Sequence, residues 1–167
     1  MSKSISSLVV DTAIAGGVTP TITIADVNFP ADFRVTMDES NEARLTNIQA
    51  PVAAPEQFRF AVSRVNDIFS NTKASASSDC PSKKGNQILV QLTSCYGVSD
   101  TTDATYGYTL PIEGHLVLRI PDDSLVTDTM IKSFVGRLCA GLFNSGKNDT
   151  TRIKSLIRGV LIPDSVK

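Results

Sequence analysis

The C-terminal quarter of the chain constrains the fold most. A strand-like run, Gly114–Pro121, gives way there to two amphipathic helical patterns. The first extends from Thr127 to Phe143 and sets Met130, Ile131, Phe134, Val135, Leu138, Leu142 and Phe143 on one side. The second extends from Asp149 to Leu161 with Ile153, Leu156, Ile157, Val160 and Leu161 at similar spacing. Thr127 suits an N-cap, with Asp128 adding favourable charge in the first turn. Gly146 is the expected stop of the first helix, Asn148 or Asp149 the cap of the second, and Pro163 its end. Helices this short are unstable alone in water. Both need a surface.

The rest of the chain reads as strands and loops. Two β-prone runs flank Gly16-Gly17, a pair suited to a tight hairpin turn, so residues 1–28 are expected to form an N-terminal hairpin. Shorter strands are expected at Phe33–Met37 and Arg44–Gln49. Three stronger ones follow at Gln57–Val65, Gln87–Cys95 and Glu113–Ile120. Each alternates between an apolar face (Phe58, Phe60, Val62; Ile88, Val90, Leu92; Leu116, Leu118, Ile120) and a mixed, largely polar one. Long polar loops are expected at Ser70–Asn86 and Gly97–Pro111. The expected fold is α+β: a hairpin, an antiparallel sheet across 33–121, and two helices across 127–162, all within one domain of residues 1–167.

Composition narrows the function classes. The formal net charge of −1 and 41% hydrophobic content point neither to disorder nor to a strongly basic nucleic-acid binder. Residues 1–118 hold 8 Lys/Arg against 12 Asp/Glu, whereas residues 119–167 hold 8 against 5, so the tail is the basic part. No run approaches the roughly 20 apolar residues of a membrane helix. The N-terminus shows no secretory pattern, because Leu8-Val9-Val10 is cut short at Asp11. Synthesis in a cytoplasm is the expectation.

Enzyme motifs are nearly absent. His115 is the only histidine, which excludes triads and zinc sites that need two. Gly141–Asn148 approaches a phosphate-binding P-loop but ends in Asn148 where a hydroxyl is needed, and it follows a helix instead of a strand. Cys80, Cys95 and Cys139 lack metal-ligand spacing, so neither metal nor cofactor is expected. Cys139 reads as a small hydrophobe, and Cys80, in a polar loop beside Pro81, as a candidate for an inter-subunit disulfide. Arg59, Ser63, Gln91, Thr93, His115 and Arg119 line one flat polar surface if the three strong strands are neighbours. Such a surface can bind phosphates and unstacked bases, or it can be ordinary solvated alternation.

A hairpin, a one-sided antiparallel sheet, a last strand ending Leu118-Arg119-Ile120-Pro121 and two closing helices resemble the coat proteins of single-stranded RNA bacteriophages. Ile131–Leu138 and Ser155–Leu161 are also similar to tails in that family. The resemblance implies an intertwined obligate homodimer with a continuous sheet, in which each subunit's helices pack over the partner's sheet. Phe134, Leu138, Ile153, Leu156, Ile157 and Val160 would then form the dimer interface. It further implies an icosahedral shell, commonly of T=3 symmetry, whose inward sheet face meets genomic RNA. That face would include a site for a hairpin that represses replicase translation, and the protein would reside in the virion. Ala61, Leu89 and Val117 are apolar on that inward face. The rivals are an all-β adhesion or binding module, disfavoured by the two helices, and a small enzyme, for which the motifs leave almost no residues. Neither a membrane nor a small-molecule substrate is implied as a partner.

Overall fold

The computed structural model describes residues 16, 27–70, 72–74, 76, 80, 82–99, 102, 105, 107–145 and 147–163. The expected N-terminal hairpin lies outside the described residues apart from Gly16, whose φ is +69°, and its last two positions, Val27 and Asn28. Residues Asp26–Asp123 form one compact unit, and the C-terminal helices belong to a second.

The first unit is a five-stranded antiparallel sheet in the order β1-β2-β3-β4-β5. Its strands are β1 (Phe33–Asp38), β2 (Glu42–Asn47), β3 (Gln57–Val65), β4 (Gly85–Ser99) and β5 (Gly107–Pro121). β1 and β3 fall where expected, while β2 lies two residues ahead of its expected span, Arg44–Gln49. The other two are longer than expected, and the expected loop Gly97–Pro111 is largely strand. Beyond the Gln57–Thr93 pair, β4 and β5 continue alone as a two-stranded arm, closing with Ser99 opposite Gly107. Inside a two-stranded ribbon Gly97 and Pro111 are both tolerated, because Pro111 sits on an edge strand, where a missing N–H costs no ladder bond. One face of the arm carries Tyr96, Tyr108, Leu110 and Ile112, all about half exposed or more.

A four-residue helix, α1 (Phe29–Asp32), precedes β1 and is absent from the sequence expectation. Asn28 caps it by accepting from the Ala31 N–H at 3.2 Å, and Pro30 pre-sets its first turn. Its purpose is visible in one ring. Phe29 lies 5.3 Å from Phe33, 5.2 Å from Phe58 and 6.2 Å from Phe60 by ring centroid, closing an aromatic cluster over the apolar side of β1 and β3. Phe33, at 6% exposure, is the one buried apolar side chain among the described residues. Gly85 opens β4, and a Cβ there would run into the Ile120 carbonyl and the Ile68 side chain.

The second unit holds α2 (Asp128–Ala140) and α3 (Thr151–Ile157). Thr127 caps α2 as expected, its hydroxyl accepting from the Met130 N–H at 3.4 Å. The helix stops at Gly141 instead of reaching Phe143 and Gly146. Its half-buried line is Ile131, Val135 and Cys139, while an adjacent line, Phe134, Leu138 and Leu142, is 60%, 51% and 45% exposed. Asp149 restrains the start of α3, accepting from the Thr151 N–H at 3.0 Å. The helix ends six residues before Pro163 because Gly159 adopts φ +82°, the left-handed conformation that closes helices. Arg152, 6% exposed, ties the chain down after that turn, donating to the Val160 carbonyl at 3.1 Å and the Leu161 carbonyl at 2.5 Å.

Candidate functional site

Antiparallel pairing turns the alternation of each strand into cross-strand rows. On the polar face, Arg44, Arg59, Gln91 and His115 form one row across β2 to β5. Thr46, Gln57, Thr93 and Glu113 form the next on one side. Glu42, Ala61, Leu89 and Val117 lie on the other side, followed by Ser63, Gln87 and Arg119. All six residues singled out from the sequence, Arg59, Ser63, Gln91, Thr93, His115 and Arg119, thus share one face. The apolar row is also as read, with Val117 44% exposed.

The centre of this face is a linked polar chain. Glu42 accepts from Arg59 in a fork, Nε to Oε1 at 2.8 Å and Nη2 to Oε2 at 2.6 Å. Arg44 also donates to Glu42 Oε1 through Nε and Nη2, each at 2.8 Å. Arg59 Nη1 continues to Gln91 Oε1 at 3.4 Å, and Gln91 Nε2 donates to Glu113 Oε1 at 2.6 Å. A shallow depression lies among Arg44, Gln57, Arg59, Gln91 and Thr93. Hydrogen bonds from Arg59 first, then Arg44, hold the Glu42 carboxyl down from its ordinary 4.5 to about 2. The same fork pushes the Arg59 guanidinium up.

Two guanidinium groups share the Glu42 carboxylate, and Glu113 at the far end of the chain balances the remaining positive charge. The fork on Arg59 is occupied by Glu42, so its strongest bidentate geometry is turned inward to the sheet. Arg119 is exposed and gives only Nε, to Gln87 Oε1 at 2.9 Å. His115 and Ser63 are likewise exposed. Glu42 and Glu113, which the strand spacing did not single out, complete the face. The signal for Glu42 lies in the β2–β3 register, which a single strand's pattern does not contain.

The helical positions divide. Phe134, Leu138, Ile157 and Val160 are exposed, at 60%, 51%, 80% and 46%, whereas Ile153 and Leu156 are half-buried. Leu161 and Ile162 extend this apolar surface at 72% and 61% exposure. Cys80 is a free thiol, half-buried, donating to the Ser82 carbonyl at 3.0 Å. Among the described residues no group of three His, Cys, Asp or Glu converges as a metal site would require.

No family model and no curated protein matches the chain. Solved structures do. One, described as the virus-like particle of bacteriophage AVE015, is similar with a TM-score of 0.88 and 30% identity, over 98% of this chain and 99% of that one. Another, the virus-like particle of bacteriophage GQ-112, shares the fold with a TM-score of 0.77 at 15% identity, over 95% and 97% of the two chains.

Proposed function

The chain belongs to the bacteriophage coat proteins that form virus-like particles, and from that premise we propose that it is a structural, non-enzymatic capsid protein of a single-stranded RNA phage. Residues 1–167 act as one coat domain. Copies pair as obligate homodimers, and the dimers close into an icosahedral shell of T=3 symmetry in the virion, after synthesis in the host cytoplasm.

One observation carries the assembly half of this reading: the line Phe134, Leu138 and Leu142 along α2 stands exposed beside the half-buried line Ile131, Val135 and Cys139. Its apolar stripe is wider than one copy covers. A contiguous apolar stripe of this kind marks a protein contact. Covering three such side chains contributes on the order of 5 kcal/mol per copy before ordering costs. The exposed lines of α2 and α3 lie over the apolar sheet face of a second copy, with Ile153, Leu156, Ile157 and Val160 extending the contact.

The RNA half rests on the polar face. Arg119, His115, Ser63 and Thr93 present polar groups on one face, with Arg119 as an exposed cation, a chemistry suited to phosphates and splayed bases. With Arg59 engaged by Glu42, Arg119 is the principal phosphate contact. An RNA hairpin bound here represses replicase translation. The test is expression in bacteria followed by size exclusion and electron microscopy. Uniform shells enclosing nuclease-protected RNA are expected; a monodisperse monomer overturns the reading.

A further inference from the structure

Arg44 of β2 and Arg59 of β3 stand directly opposite each other in the antiparallel register. Like charges at facing positions destabilise a sheet, because their Cβ atoms lie only about 5 Å apart. A bridge that merely braced two strands would need one arginine. Here two are brought together on the polar face, and one carboxylate holds both. Glu42 accepts from the Nε and Nη2 edge of each, at 2.6–2.8 Å. The layering is equally specific. The Glu42 side chain is 18% exposed, whereas those of Arg44 and Arg59 are 46% and 38% exposed. Both guanidinium-bearing side chains line the shallow depression with Gln57, Gln91 and Thr93, and Glu42 is not part of that lining. The cations thus stand at the surface with their anion set behind them.

A carboxylate and a phosphate fit the same edge of a guanidinium group. We propose that Glu42 is a specificity-determining residue: as an internal competitor, it occupies the place that an RNA phosphate would take on Arg44 and Arg59. This rests on the reading of the polar face as the RNA surface, and it names what that surface selects against. Every RNA strand offers phosphates, and contacts to them carry no sequence information. A face with two free arginines at Arg44 and Arg59 would hold any strand. With Glu42 in place, backbone attraction falls mainly to Arg119, and groups able to meet base edges, Gln91, Thr93 and His115, carry a larger share of the binding. Discrimination between two strands is a difference of affinities, and it widens in relative weight when the term common to both shrinks. Glu42 serves this role at any pH near neutrality, because its carboxyl, held down to about 2, stays ionised.

Binding of labelled oligouridylate to the full-length soluble protein, followed by fluorescence anisotropy across a salt series, tests the assignment. Glu42→Gln keeps the shape of the side chain and removes its charge. It is expected to bind on the order of tenfold more tightly at low salt, and to steepen the slope of log affinity against log salt by about 2, one for each arginine released. Glu113→Gln removes an equal charge from the same face, but Glu113 holds Gln91 and no arginine. Its slope is expected to match the wild type. Where Glu42→Gln alone does not fold, Arg44→Gln is added to remove the facing charge, and a steepening of about 1 is expected from Arg59 alone. An unchanged slope in the folded variant, single or double, overturns the role of Glu42 and leaves the RNA reading standing. An equal steepening in Glu113→Gln does the same, because the effect is then one of general charge. A wild-type protein that neither binds oligouridylate nor encloses RNA in its particles overturns both.

Discussion

Glu42 and Arg59 meet fork to fork across β2 and β3, with both carboxylate oxygens within 2.8 Å of guanidinium nitrogens. The pair anchors a chain of polar contacts reaching β5. It also makes the carboxyl of Glu42 an unusually strong acid, at about 2. The folded value lies below the ordinary 4.5. Its stabilising contribution is therefore full above that ordinary value and fades as pH falls from about 4.5 toward 2. In Arg59→Ala the larger of the two hydrogen-bonding causes is gone, and Glu42 is expected to titrate closer to 4.5. Side-chain carboxyl chemical shifts followed by NMR on soluble dimers check this; an unmoved titration would assign the effect to Arg44.

Among the described residues, Arg119 is the cation on the polar face whose terminal nitrogens are not held by a neighbouring carboxylate. Arg119→Ala is expected to weaken RNA binding at every sequence and to lower the slope of log affinity against log salt by about 1. Binding measured at several salt concentrations separates this from a folding defect, which would change the dimer fraction instead.

Gly85 is expected to resist substitution. Its backbone opens β4 against the Ile120 carbonyl, and a methyl group there meets main chain, which cannot swing aside. Gly85→Ala is expected to destabilise the sheet by about 1–3 kcal/mol, read as a lowered midpoint in urea. An unchanged midpoint would show that β4 can shift at this point.

Leu156 is half-buried in α3, between Arg152 and the Gly159 turn. Leu156→Asp places a charge in the surface proposed to meet a second copy, and loss of the soluble dimer is expected. Light scattering with circular dichroism checks it. A well-folded mutant dimer would remove Leu156 from the interface.

The strong strands were legible because period-two alternation over nine residues, as in Gln57–Val65, has no helical counterpart. Antiparallel neighbours then brought Arg59, Gln91 and His115 into one row without further information. The β4–β5 arm was not legible. Its Thr, Asp, Tyr and Gly content reads as a polar loop, and only pairing with a single partner strand turns that stretch into a ribbon. The ends of α2 and α3 were overrun for a related reason: apolar spacing persists past Gly141 and Gly159, although the backbone there has left the helix. α1 had a readable signal in Asn28 and Pro30, but a helix of four residues has too few positions to show a period. Glu42 stayed hidden because its role depends on which strand lies beside β2.

Phe33 is the one buried apolar side chain among the described residues, and this has a thermodynamic consequence. The heat-capacity change of unfolding scales with the apolar area newly exposed to water. In the proposed assembly most of that area is hidden between copies, so it is released when they separate. Dilution and heating then draw on the same equilibrium, and the melting temperature of this protein is a function of its chain concentration.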